Sequence, residues 1–442
     1  METRQDPRRA DEGSRRFAPA LALVVLVGAA VRFAYVWFDR RHVGLEFNDG
    51  LYYHYGANLL ADGHGFVNPV VSELLGVDYP AADHPPLYLV YLSLFSLVGL
   101  DTVTDHLMAS AALGVGSVLV AGLVGRRIGG DRLGLLAAGL VAVAPNVWRF
   151  DGSLLAETAV VFLVLVAVWL SYRFWDEPTP WRLVAVGAVV GLGGLARAEI
   201  LLLVPLLVVP LALLLRDRPW KTRVGWATLS TVACVAVVAP WVGHNLARFD
   251  EPVLISSNLG QTIGGSYCET VFEGHLLGYW DYNCPVAAVE AAGYTEPGDE
   301  RGDRAARDAG LTYAREHLGR LPVVVAARLG RTVGLYRPTQ QRDLDALTEG
   351  TSSWVATAGM VTLPLSLVGA AVGAVVLHRR RRFVWPLLAP IACVLITVVV
   401  FYGATRFRAT AEGPIYVLTA VTLDAVLGLM LDRRTTPREV AA

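Results

Sequence analysis

The residues best suited to chemistry open the segment EFNDGLYYHYGANLLADGHGF, residues 46–66. Glu46 and Asp49 precede Tyr52, Tyr53 and Tyr55, in a run with helical spacing that closes on Gly63 and Gly65. A carboxylate beside aromatic residues at a membrane surface is suited to general-base work on a lipid-borne substrate, and a low-dielectric boundary is expected to raise its pKa. Other polar residues stand apart in the chain: His84 before Pro85 and Pro86, then Arg149, Asp151 and Glu157, Arg197 and Glu199 in ARAE, His244, Asn245 and Arg248, and Arg406 and Arg408. Together they offer carboxylates for acid–base chemistry and guanidiniums for an anion.

What must position them is a membrane bundle. Of 442 residues, 54% are hydrophobic, and they recur in runs of about 20, the length a bilayer requires. The runs are 17–38, 104–125, 133–148, 155–172, 183–196, 200–215, 224–243, 354–377, 383–402 and 414–431. The run 87–100 is too short to cross and reads as interfacial or re-entrant. With ten spans, the basic clusters all fall on one side: the N-terminal tail, Arg126 to Arg132, Arg173 and Arg182, Arg216 to Arg223, Arg379 to Arg382, and Arg433 and Arg434. Positive-inside bias makes that side the cytoplasm, with both termini inside.

The expected fold is therefore an all-α polytopic membrane protein of about ten transmembrane helices. A cytoplasmic tail (1–16) precedes a transmembrane module (17–243) that contains an outer loop at 39–86. A large outer loop (244–350), C-terminal helices (351–431) and a second tail (432–442) follow. Within the large loop, 303–318 reads as an amphipathic helix, and the stretch after Pro322 as a second helix on the bilayer surface. Cys268 and Cys284 share this loop, and a disulfide between them is the preferred reading in an oxidising compartment. A net charge of -1 gives no reason to expect nucleic acid. The short, Arg-rich cytoplasmic loops hold no Gly-rich phosphate loop and no nucleotide-binding domain.

Each polar residue also has a plainer role. Arg197 and Glu199 suit a solvated turn, Glu157 suits a helix start, and Arg149 and Arg32 suit snorkelling to the interface. The tyrosines suit an interfacial aromatic belt. The collection of both charge signs at one face favours a site instead.

These residues carry a resemblance to the GT-C membrane glycosyltransferases, in the branch of protein O-mannosyltransferases and lipid A aminoarabinose transferases. FNDGLYYHYGANLLADGHGF resembles the family's acidic loop, DHPPLYLVYLSLFSLVG its Pro-Pro-Leu segment and SLLAETAVVFL its acidic helix start. GLGGLARAEILLLVP resembles its Arg-containing turn, PWVGHNLARFDEPVLISSNLGQTIGGS its Pro-Trp…Arg-Asn stretch and following Gly/Asn loop, and YGATRFRATAEGPIYVL its late Arg-Tyr-Arg…Pro segment. Gly50 stands where a second acid is common, and His244-Asn245 where Arg-Asn is usual.

The resemblance implies a hexosyl- or pentosyltransferase of the cell membrane with an outward-facing site. A polyprenyl-phosphate sugar would be the donor, and a hydroxyl on a cell-envelope protein, lipid or polysaccharide the acceptor. Asp49 would be the general base of an inverting transfer, and His84, Arg197 and Arg406 would hold the donor phosphate. Glu46, Tyr53, Arg149, Glu157, Glu199, Asn245 and Arg408 are further candidates. No cofactor is implied, and a divalent metal is left open. Two other readings are a flippase for a lipid-linked sugar and an inactive accessory subunit of the same fold. A transporter would place charges near the bilayer midplane, whereas here they collect at helix ends.

Overall fold

The structure is a computed structural model that describes residues 7–45, 48–294 and 300–435. Among these the regular secondary structure is all helical, apart from one isolated bridge between Val67 and Pro80. Six helices are long and apolar enough to cross a membrane: Arg16–Arg40, Val103–Gly129, Glu157–Asp176, Trp220–Leu246, Ser353–Arg379 and Thr405–Leu431. Asp131–Val143 and Pro145–Gly152 make a further, broken span with a 59° bend, at a proline that cannot continue the hydrogen-bond ladder. Pro180–Ala196, Ala198–Leu213 and Trp385–Val400 are shorter apolar helices. The second of these is broken into 3₁₀, π and α segments around Pro205 and Pro210.

Contacts at their tips show that these ten elements run alternately between two ends of one bundle. At one end, Arg406 in the first turn of the tenth element bonds Asp49 after the first and Glu157 at the start of the fourth. Arg197, between the fifth and sixth, reaches the same Glu157. At the far end, Arg127 pairs with Asp176, Arg182 bonds the Arg173 carbonyl, Trp175 stacks on Phe383, and Arg132 pairs with Asp424. The helix Leu87–Ser96 does not cross: it stays at the first end, tied by Tyr88 to Ser110 and by Tyr91 to the Ala109 carbonyl.

Packing follows from small residues on the facing helix surfaces. A Cβ at Gly187 would lie 2.1 Å from the Ser230 carbonyl oxygen, so the fifth and seventh elements approach at backbone distance. The buried core runs through Val118, Ala138, Val164, Leu207, Leu387 and Val417. On the outer faces Leu26, Val235, Leu365 and Val368 are exposed, as lipid-facing positions should be.

Arg32 overturns the snorkelling expectation. It is wholly buried, donates to the carbonyls of Gly28, Val141 and Ala142, and lies 2.9 Å from Asp151. A paired charge needs no route to the interface, and this one clamps the first element to the bend of the third.

The described residues of the segment 244–350 fold largely into helices over the same end as Asp49. Glu300–Glu316 is the amphipathic one, and its Asp303 accepts hydrogen bonds from the backbone N–H groups of Gly260 and Gln261. A disulfide joins Cys268 to Cys284. Leu321–Thr332 does not simply rest on a surface. Its Arg328 is buried and donates to the carbonyls of Val399 and Ser266, which docks the segment onto the end of the ninth element.

Candidate active site

Asp49 begins the helix Asp49–Ala61, which Asn48 caps by accepting the Gly50 N–H. The helix stops where Gly63 and Gly65 take φ of +91° and +80°, a conformation glycine adopts without strain. A Cβ at Gly50 would lie 2.8 Å from the Ser153 carbonyl oxygen. Close approach to the 149–153 turn therefore explains why no second acid stands there. His84 Nε2 is 3.6 Å from Asp49 Oδ1, and its ring packs against Tyr52 and Tyr53, with centroids 4.7 and 5.3 Å away. Tyr53 is itself edge-on to Tyr88. The aromatics thus hold the histidine on one side of the carboxylate.

Arg406 holds the other side. Its Nη2 is 2.6 Å from Asp49 Oδ2, and its Nε is 2.7 Å from Glu157 Oε1. Glu157 is fully buried and also receives Arg197 Nη1, while Arg197 Nε bonds Glu199 at 2.5 Å. Three carboxylates and two guanidiniums are interleaved here, with His84 beside them. Four separated parts of the chain supply them: the loop after the first element, two inter-helix turns and the start of the fourth element.

The electrostatics correct the expectation of a raised pKa at Asp49. Burial does push its carboxyl upward, but the fields of Arg406 and His84 outweigh it and hold the group well below the usual carboxylate range. Asp49 is therefore ionised, and paired to Arg406 it is a weak base. For Arg197, burial is outweighed by Glu199 and Glu157, which keep its guanidinium charged.

A second cluster lies directly behind. Arg149 donates to Thr405 at 3.0 Å and to Asp345 at 3.3 Å, and lies 3.6 Å from Glu349. Thr405 also donates to Asp345 at 2.6 Å. Because Thr405 precedes Arg406, Arg149 anchors the turn that presents Arg406 and does not itself join Asp49. Sequence reading missed Asp345 and Glu349. Their i, i+4 spacing before Gly350 put two carboxyls on one helix face, a signal present in PTQQRDLDALTEG. Burial first, and the neighbouring Asp345 charge after it, raise the Glu349 carboxyl to about 8, with Arg149 offsetting part of the rise.

The remaining candidates separate from this centre. Arg408 is buried against Glu412, Asn146 and the Thr332 carbonyl, where it ties the tenth element to its neighbours. Asn245 is buried with its amide toward the Leu254 carbonyl. Arg248 bonds His244 and the Phe66 carbonyl, flanking Tyr52. Glu46 lies outside the described residues. Among the described residues, no three His, Cys, Asp or Glu side chains are arranged to hold a metal ion.

A bundle with a charged centre at one end, roofed by helical loops, is the GT-C fold of integral-membrane glycosyltransferases. In sequence, residues 83–244 match the family described as dolichyl-phosphate-mannose-protein mannosyltransferase. The oligosaccharyltransferase AglB from Archaeoglobus fulgidus, solved with an inhibitory peptide and a dolichol-phosphate, is similar with a TM-score of 0.56 at 14% identity, over 96% of this chain and 52% of that one. The apo form of the Archaeoglobus fulgidus oligosaccharyltransferase gives 0.54 at 14% identity, over 97% and 53%. ArnT from Cupriavidus metallidurans, in the apo state, gives 0.42 at 14% identity, over 95% and 81%. The chain spans about half the length of the archaeal enzymes it matches. No curated protein matches it in sequence.

Proposed function

We propose that the protein is a glycosyltransferase that moves a sugar from a polyprenyl-phosphate donor to an acceptor hydroxyl at the outer face of the cell membrane. The observation that carries this reading is the Asp49–Arg406–Glu157–Arg197 network beside His84, assembled at one end of a GT-C bundle. Asp49 takes the proton of the acceptor hydroxyl as its oxygen attacks the anomeric carbon from the face opposite the phosphate. The bond from that carbon to the phosphate oxygen breaks, its electron pair leaves with polyprenyl phosphate, and the product is inverted. Arg406, Arg197 and His84 meet the charge that grows on the leaving phosphate.

The same guanidinium serves base and leaving group. A donor phosphate that draws Arg406 toward itself weakens the field on Asp49 and raises its proton affinity, so the base strengthens when the donor is in place. Glu157, bonded to both arginines, holds them beside Asp49.

The far end carries Arg126, Arg127, Arg132, Arg173, Arg182 and Arg379 to Arg382, so positive-inside bias supports an outward site. The pairing of the charges at helix tips favours an enzyme over a flippase. The test supplies purified protein in nanodiscs with radiolabelled polyprenyl-phosphate hexoses and pentoses and a cell-envelope extract. Acceptor-dependent release of polyprenyl phosphate is expected, and failure to consume any of these donors would overturn the reading.

A further inference from the structure

At the end of the bundle opposite the site, the eighth element stops in a run of four arginines, Arg379 to Arg382, before the ninth begins at Trp385. An open cavity of about 610 Å³ lies there, lined by Trp175, His378, Arg379, Arg381, Arg382 and Phe383. Its floor is aromatic: Trp175 and Phe383 stack at 3.8 Å with their planes 10° apart, and Tyr172 fixes Phe383 by donating to its carbonyl.

A plain topology signal does not account for this arrangement. Four other arginines at the same end are spent on carboxylates: Arg126 on Asp131, Arg127 on Asp176, Arg132 on Asp424 and Arg182 on Glu177. Even Arg380, the member of the run outside the cavity lining, lies 3.9 Å from Asp424. The three arginines that line the cavity make no ion pair among the described residues, and no acidic side chain lines it. Three unneutralised guanidiniums around one concavity are a receptor for a phosphate-bearing group.

The position selects the form of that group. On the eighth element, Val372 and Val375 are exposed one to two turns before Arg379, so apolar surface that faces acyl chains leads directly to the charged rim. A tryptophan at that level suits the headgroup region of a bilayer. We propose that this cavity binds the phosphate headgroup of an anionic phospholipid, with Arg379, Arg381 and Arg382 on the phosphate and the acyl chains along the eighth element. The site is separate from the Asp49 centre and does not depend on the reading given to it.

The test compares wild-type protein in nanodiscs of phosphatidylcholine alone with nanodiscs that also contain phosphatidylglycerol or cardiolipin. Native mass spectrometry after detergent release should find anionic phospholipid retained by wild type. R379Q/R381Q/R382Q should retain at least tenfold less, while R216Q/R218Q/K221Q, in another basic loop, should match wild type. A photoactivatable anionic phospholipid on the unmodified protein should crosslink to the peptide around 375–385, which keeps the test valid if the triple variant does not insert. Equal retention by the triple variant, crosslinks spread over the surface, displacement by millimolar inorganic phosphate, or preference for polyprenyl phosphate over phospholipid would each overturn the proposal.

Discussion

The guanidinium of Arg406 is shared between two carboxylates, with Nη2 2.6 Å from Asp49 and Nε 2.7 Å from Glu157. The partners differ in setting. Glu157 is fully buried and held by Arg197 as well, whereas the Asp49 side chain is about a quarter exposed and borders the site. An incoming anion will therefore displace Asp49 from Arg406 before it displaces Glu157.

Asp49→Asn separates base from binding. The amide keeps size and removes both the proton acceptor and the competitor for Arg406. Transfer should fall by roughly 10²–10⁴-fold. The affinity for polyprenyl phosphate, measured by titration in nanodiscs, should equal or exceed that of wild type. Weaker binding by the variant would mean that Asp49 supports the phosphate and does not compete with it.

Arg406→Lys keeps the charge but loses the planar fork that reaches two partners at once. Both kcat and donor affinity should drop, with kcat lower by about tenfold or more, since contacts that strengthen in the transition state act on turnover. A loss confined to KM would show that Arg406 only binds the donor.

Glu349 yields a stability test with a definite sign. Its folded pKa of about 8 lies above the ordinary glutamate value of about 4.5, so its contribution is fully present below about pH 4.5 and is lost as pH rises toward 8. Glu349→Gln removes that slope. The variant should gain thermal stability over wild type as pH rises from 4.5 to 8, on the order of a few degrees in Tm. A difference between the two proteins that does not change with pH would contradict the buried, protonated state of this carboxyl.

The Cys268–Cys284 bridge closes a loop with a sequence separation of 16. Its loss in a Cys268→Ser/Cys284→Ser variant should destabilise the roof over the site by about 3 kcal/mol in the chain-entropy model. Unfolding followed with and without reductant checks this, and a wild-type protein indifferent to reductant would contradict it.

Orientation is checked with single cysteines. Arg379→Cys should stay hidden from membrane-impermeant thiol reagents in intact cells, and Ala292→Cys should be labelled. The reverse pattern would turn the site toward the cytoplasm.

The bundle was legible because a bilayer imposes its thickness on the sequence, so even the short helices Pro180–Ala196 and Trp385–Val400 stand out as apolar runs. The site was legible as a set of residue types but not as a pairing. Asp49 and Arg406 are 357 positions apart, and nothing local records that one will quench the basicity of the other. For the same reason Arg32 reads as a snorkelling side chain until Asp151 is seen 2.9 Å away. Glu349 went unread because a polar stretch looks solvated, and only the fold shows that its helix is pressed against Arg149.

The central claim is that Asp49 activates an acceptor against a lipid-linked donor. The most direct measurement is a single-turnover assay in nanodiscs, with matched polyprenyl-phosphate and nucleotide-linked forms of one radiolabelled sugar, for wild type and Asp49→Asn. Polyprenyl phosphate should appear only with the lipid donor and wild-type protein, with the transferred sugar inverted at its anomeric carbon. Transfer from the nucleotide sugar without polyprenyl lipid, or a rate for Asp49→Asn within about threefold of wild type, would contradict the account.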